Sequence, residues 1–185
     1  MFRDVVKLII VLLLTLTLAA ASRAVAAARE ATAREYEIKA AFIFNFMEFI
    51  TWPPDAFTAK DAPFIVAVVG DDPFGGALEQ AMAGKTVDGR QIVVRHFPSA
   101  DQMEPCQVLF VPAGDDDALP AIMGKIANAP VLTVGESDRF MAAGGEIRFF
   151  LEDNKMRFEI DPAATDAARL KVSAKLMKLA RIYQR

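Results

Sequence analysis

At 185 residues the chain is long enough for one domain with a sizeable core, and a formal net charge of -3 with a pI near 5.3 excludes a globally basic nucleic-acid binder. One histidine and one cysteine exclude a zinc site built on several such ligands and any disulfide within the chain. At 54% hydrophobic, the composition is that of a protein held together by its core.

The first 21 residues have the make-up of a cleavable signal peptide. Arg3 and Lys7 give a basic start, residues 8–18 are hydrophobic apart from threonines, and Ala19-Ala20-Ala21 supplies small residues for cleavage before Ser22. Spanning a bilayer takes about 20 apolar residues. Only residues 5–21 are available, so cleavage is expected rather than anchoring, and no cysteine near the cut could carry a lipid. Cleavage removes two cations and one acid and takes the net charge from -3 to -4. Residues 22–34 are alanine-rich without apolar periodicity and read as a flexible lead-in to a single domain over residues 35–185.

From residue 36 to residue 52 almost every position is apolar except a narrow stripe at Glu37, Ala41, Asn45 and Glu48, one exposed line on a helix buried over most of its circumference. Phe42, Phe44, Phe46 and Phe49 point around that helix, to fill the core or to cover part of a partner, and Trp52-Pro53-Pro54 stops it. Residues 64–69 form a β-branched run apolar on both faces, the mark of a central strand covered by helices on each side. A turn over residues 70–76 and a helix over residues 77–83 follow. After the turn Val87-Asp88-Gly89-Arg90 comes a strand over residues 91–95, more polar at its ends and expected nearer an edge. A polar loop over residues 98–105 leads to a strand over 106–111 and a helix over 118–127, with Asp115-Asp116-Asp117 placed to complement its dipole and cap its amides. Residues 131–134 form the next buried strand.

Beyond Gly135 the pattern changes to alternation. Residues 147–151 and 156–160 flank Asp153-Asn154, a pair tolerant of positive φ. A hairpin turning there pairs Leu151 with Met156, Phe149 with Phe158 and Ile147 with Ile160 on one face, and Arg148 with Glu159 on the other. Asp161-Pro162 opens a short helix to Ala168. Ser173 caps a final helix to about Tyr183, with Leu176, Leu179, Ala180 and Tyr183 inward. The sum is an α/β fold: an open, mostly parallel, Rossmann-like sheet flanked by helices, with a C-terminal antiparallel hairpin and a closing helix.

Candidate chemistry is sparse. Gly70, Gly75 and Gly76 lie between a strand and a helix, but their spacing fits no phosphate-binding motif and Asp71 and Asp72 would repel an anion. Calcium loops need carboxylates at alternating positions over a longer stretch than residues 115–117. His96 reads as a strand end, Cys106 as a small core residue, and Ser137 lacks the G-x-S-x-G context of a hydrolase nucleophile. No catalytic, cofactor or metal site follows. Lys171, Lys175, Lys178 and Arg185 fall roughly on one stripe of the final helix, either a solvated face complementing the helix dipole or a surface for an acidic partner or anionic lipid headgroups.

Four landmarks carry a family resemblance: residues 35–46 continuing to Trp52-Pro53; residues 64–76; Gly144-Gly145-Glu146-Ile147 with Phe158-Glu159-Ile160; and residues 170–176 with Leu179-Ala180-Arg181. In this order they resemble the YfiR family of secreted regulators. The resemblance implies a periplasmic, non-enzymatic protein, without a cofactor, that inhibits an inner-membrane diguanylate cyclase by binding its periplasmic sensor domain and so lowers cyclic di-GMP. It further implies sequestration by an outer-membrane lipoprotein and a homodimer. The disulfide tuning of the best-known members has no intrachain counterpart here, because Cys106 is single. For the partner surface, Phe42, Phe46 and Phe49 of the aromatic helix and the basic Lys171, Lys175 and Lys178 are the candidates. The alternative from another class is a small periplasmic ligand-binding module serving a transporter or sensor kinase, with its crevice at the carboxyl ends of the strands near Gly70 and Gly135.

Overall fold

A computed structural model describes the backbone of residues 2–184, with the side chains of residue 23 and residues 25–184. The side chains on which the export-signal expectation rests, residues 1–21, lie outside the described residues. The chain divides into two units, Met1–Glu35 and Tyr36–Arg185. The first is helical, and residues 25–34, read as a lead-in, are exposed within α1 (Phe2–Phe49).

In the second unit the remainder of α1 runs to Phe49 and is followed by β1 (Ile50–Thr51), β2 (Phe64–Val69), α2 (Ala77–Met82), β3 (Thr86–Val87), β4 (Arg90–Phe97) and β5 (Val108–Val111). Then come α3 (Leu119–Lys125), β6 (Leu132–Gly135), α4 (Asp138–Ala142), β7 (Ile147–Glu152) and β8 (Lys155–Ile160). The chain closes with α5 (Pro162–Ala167), β9 (Lys171–Val172), α6 (Ala174–Leu179) and β10 (Arg181–Ile182).

Eight strands form one sheet in the order β10-β8-β7-β6-β5-β2-β4-β3. The run β4, β2, β5, β6, β7 is parallel throughout, and antiparallel pairs occur at β7 with β8 and at β3 with β4. The chain steps from β2 to β4 in one direction and from β5 through β6 to β7 in the other, so β2 and β5 flank the point where strand order reverses.

Apolar residues on both faces of the parallel strands give two cores. Phe64, Val66 and Val68 of β2 and Val108 and Phe110 of β5 join α1 and α2 on one face. Ala67 and Val69 of β2 and Leu109 and Val111 of β5 join α3 and α4 on the other. Phe46 is completely buried, its ring stacked on Phe149 with centroids 5.6 Å apart and 4.9 Å from Phe158. Full burial of such a ring is worth about 1.5–3 kcal/mol before the added ring–ring term. The line Glu37, Ala41, Asn45 and Glu48 is exposed, as the period requires.

The hairpin has the expected register, Ile147 opposite Ile160, Arg148 opposite Glu159, Phe149 opposite Phe158 and Leu151 opposite Met156. Asp153 and Asn154 turn it at φ 50° and 57°. Asp161 caps α5 by accepting the Ala164 N–H at 3.0 Å, and Ser173 caps α6 by accepting the Leu176 N–H at 3.3 Å.

Several expectations are corrected. The aromatic helix ends at Phe49 rather than at Trp52, because Ile50 and Thr51 pair with β9. The final helix ends at Leu179 rather than near Tyr183: Arg181 and Ile182 join the sheet beside Glu159 and Ile160. Leu179 is 66% exposed instead of facing inward. A short helix, α4, begins after Ser137, with the Ser137 hydroxyl accepting the Phe140 N–H at 3.0 Å. The aspartates before α3 make no side-chain cap; Asp116 instead accepts from the Ser137 hydroxyl at 2.5 Å, and Asp117 accepts from Arg139 at 3.2 Å.

Candidate functional site

The carboxyl ends of parallel strands are where folds of this kind hold ligands, at the point of strand-order reversal. Here the chain's own side chains pack against the glycines at two of those ends. Gly70 ends β2 at φ +81°, and the Asp115 carboxylate lies against its Cα, where a Cβ would clash with Oδ2. The Asp115 carboxyl is held above its ordinary pKa, first by desolvation and then by repulsion from Asp71 and Asp116. At the end of β6, on the far side of β5, the Phe140 ring packs on Gly135 and on Gly145, occupying the space a side chain would need at either glycine.

Glu136, one residue beyond β6, ties the same end to the helix of residues 36–49. Its carboxylate accepts from Lys39 Nζ, from the Tyr36 hydroxyl at 3.3 Å and from the Ala113 backbone N–H at 2.9 Å. The Lys39 and Glu136 side chains are only 5% and 7% exposed, so the pair is cut off from solvent. Tyr36 also meets Phe74 edge-on at 5.3 Å, and Phe74 meets Phe110 at 4.8 Å, which carries the seal down into the core. Lys39 and Glu136 were not singled out in the sequence, and Asp115 was expected to cap the helix that follows it rather than to lie against Gly70. The available signal was Lys39, a cation off the polar line of an otherwise apolar helix.

At the amino ends of the strands lies a hollow of about 290 Å³, lined by Phe57, Met103, Cys106, Lys125, Ile126 and Val131 among others. Beside it the buried Gln107 joins three segments: its side-chain Oε1 accepts from the Ile65 N–H at 2.8 Å, its Nε2 donates to the Ala56 carbonyl at 2.6 Å, and its backbone carbonyl accepts from Trp52 Nε1 at 3.2 Å. Burial pushes the Cys106 thiol up to about 12, so it stays protonated and unreactive. His96 sits on β4 with Nε2 2.7 Å from Glu79 Oε1 on α2. Desolvation acts to raise the Glu79 carboxyl, but the hydrogen bond from His96 and its charge outweigh that effect and hold it below its ordinary value. Among the described residues, no cluster of three or more His, Cys, Asp or Glu could hold a metal ion.

Of the six residues singled out for partner binding, Phe42 packs with Phe46 and Phe49 meets Lys175. Phe42 is half-buried between Phe149 at 5.9 Å and Phe158 at 5.7 Å, and Phe46 is sealed beneath it. Phe49 is half-buried with the Lys175 ammonium 4.7 Å from its ring centre, which joins the aromatic helix to α6. Lys175 and Lys178 are exposed on α6, but Lys171 lies on β9 opposite Thr51 and Arg185 is outside the described residues, so the basic stripe is not the face of one helix.

The sequence profile of a family described as YfiR/HmsC-like matches residues 36–181, the folded unit almost from end to end. No curated protein sequence matches the chain significantly. Among solved structures, a conserved domain protein from Vibrio cholerae O1 biovar El Tor aligns at 10% identity with a TM-score of 0.49, over 65% of this chain and 54% of that one. The ABC domain in complex with L-Trp from Streptococcus pneumoniae aligns at 8% identity with a TM-score of 0.47, over 64% of this chain and 54% of that one. The chain thus spans about half the length of either structure.

Proposed function

Since the chain belongs to the YfiR/HmsC-like family, a family of periplasmic regulators of cyclic di-GMP signalling rather than of known enzymes, we propose that it binds and inhibits an inner-membrane diguanylate cyclase. In this reading a cleaved signal peptide delivers the protein to the periplasm, and contact with the cyclase's periplasmic sensor domain lowers cyclic di-GMP. An outer-membrane lipoprotein relieves the inhibition by competing for the protein.

The observation that carries the reading is the family match over residues 36–181. The geometry supports it in two ways. At the strand ends where a ligand-binding module would hold its solute, the Asp115 carboxylate lies against Gly70 and the Phe140 ring against Gly135. The single histidine is engaged with Glu79, and the single cysteine is buried as a neutral thiol.

Affinity capture tests the proposal, with the mature chain as bait for detergent-solubilised inner membranes. The expected prey is an integral membrane protein carrying a diguanylate cyclase domain. Recovery of transporter or sensor-kinase components instead would overturn the reading in favour of a ligand-binding module.

A further inference from the structure

Among the described residues, four large apolar side chains of the unit Tyr36–Arg185 are exposed, and three of them, Leu151, Leu179 and Ile182, belong to the elements at one margin of the sheet. At this margin β8 runs out beyond its neighbour. β10 pairs only with Glu159 and Ile160, so residues 155–158 have β7 on one side and no strand on the other.

The register fixes which backbone groups face outward there. In a two-residue hairpin the pair flanking the turn, here Glu152 and Lys155, exchanges both ladder bonds, and bonded and non-bonded pairs alternate from that point. Met156, Phe158 and Ile160 therefore turn their amides and carbonyls away from β7, consistent with the bond from the Tyr183 N–H to the Ile160 carbonyl at 2.8 Å. The parallel pairing with β10 uses the Phe158 carbonyl and the Ile160 N–H. What stays open is a short ladder: the N–H and C=O of Met156 and the N–H of Phe158.

The side chains along this ladder alternate in character. Lys155 and Arg157 are exposed on one face, and Met156 lies on the other, opposite the exposed Leu151. The surroundings are cationic: Arg157 and Arg181 share the one carboxylate of Glu152, while Lys155 and Lys178 have no acidic partner among the described residues. Twofold pairing of β8 with a second copy would bring Lys155 and Arg157 of both chains onto one short ladder, and like charges placed opposite each other oppose it.

We propose that the open edge of β8 is a strand-addition site for an extended acidic segment of a protein partner, with acids facing Lys155 and Arg157 and an apolar residue facing Met156. Main-chain bonds to Met156 and Phe158 supply the register, and the cations select the acidic sequence. The proposal rests on the reading that this chain acts by binding another protein, and it names the chemistry of the segment bound.

The probe is a short fluorescein-labelled peptide of alternating glutamate and valine, titrated into the mature chain and followed by anisotropy. A version N-methylated at alternate amides and a lysine–valine version serve as controls. The acidic peptide is expected to bind, to weaken with added salt, and to protect the Met156 and Phe158 amides from hydrogen exchange, while neither control binds. Lys155→Glu combined with Arg157→Glu should weaken the acidic peptide by about tenfold or more with the melting temperature unchanged, since these side chains are exposed. Equal binding by the N-methylated peptide, unaltered binding by the double variant, or pairing of this edge with a second copy would each overturn the proposal. The same double variant separates the two readings in cells lacking the gene. If wild-type protein lowers cyclic di-GMP and the variant does so equally, the edge proposal fails alone; if wild-type protein has no effect, the regulator reading fails.

Discussion

Replacing Lys39 with Met tests whether the buried ion pair at the carboxyl end of the sheet holds the helix of residues 36–49 in place. The substitution keeps the apolar length of the side chain and removes the ammonium, with its hydrogen bond to Glu136 and its contact with the Tyr36 ring. It leaves the Glu136 carboxylate, 7% exposed, with the Tyr36 hydroxyl and the Ala113 N–H and no counter-ion. Unit charges about 4 Å apart at an effective dielectric of about 20 attract by about 4 kcal/mol, and stranding one member of a buried pair costs about 3–5 kcal/mol. Against a total stability of about 5–15 kcal/mol the loss is large, and for a domain of this size it lowers the melting temperature by about 10 °C. Glu136→Gln in the same chain removes the stranded charge and still accepts the Ala113 N–H, so the double variant should recover about 2 kcal/mol relative to the sum of the single losses. Urea unfolding followed by the fluorescence of Trp52, the one tryptophan, reads this cycle from the opposite end of the strands. A Lys39→Met cost below about 1 kcal/mol, or additivity within about 0.5 kcal/mol, would refute the reasoning.

Three further outcomes follow from local geometry. Gly145→Ala sets a methyl group into the Phe140 ring and should destabilise by about 1–3 kcal/mol, with Phe140→Leu in the same chain restoring part of the loss in a thermal melt. Cys106, with its folded value near 12 against 9.0 when unfolded, should resist maleimide in the native protein and react in urea; the stability it lends is present below pH 9 and lost as pH rises toward 12. Asp115 is raised above its unfolded value of 3.8, so its ionisation opposes folding at neutral pH and not below that value. Asp115→Asn should therefore raise the urea midpoint at pH 7, with the gain shrinking as pH falls through 4; a gain that persists at pH 3 would contradict the cause given.

The parts of the fold legible from sequence are those whose cause is local. The hairpin followed from alternation on either side of Asp153-Asn154, because each cross-strand pair had to agree with the next. The run at residues 64–69 announced a strand covered on both faces because both its odd and even positions are apolar. The elements that escaped notice are short and exist only through distant partners. Ile50 and Thr51 extend because Lys171 and Val172 lie alongside, and Arg181 and Ile182 leave the helical pattern because the edge of β8 has free groups to satisfy. The same holds at the strand ends. Lys39 and Glu136 are 97 residues apart, and no local period announces their pairing. Of the six residues singled out for partner binding, Phe46 shows the limit most clearly: an aromatic periodicity identifies a face, but only the opposing Phe149 and Phe158 decide that the ring is enclosed.

The most direct test of the regulatory account is cellular cyclic di-GMP after deletion of the gene, with and without re-expression of the exported protein. The account predicts a rise on deletion that re-expression of the exported form reverses and a form lacking the first 21 residues does not. An unchanged level across growth conditions, or reversal by the form that stays in the cytoplasm, would contradict it.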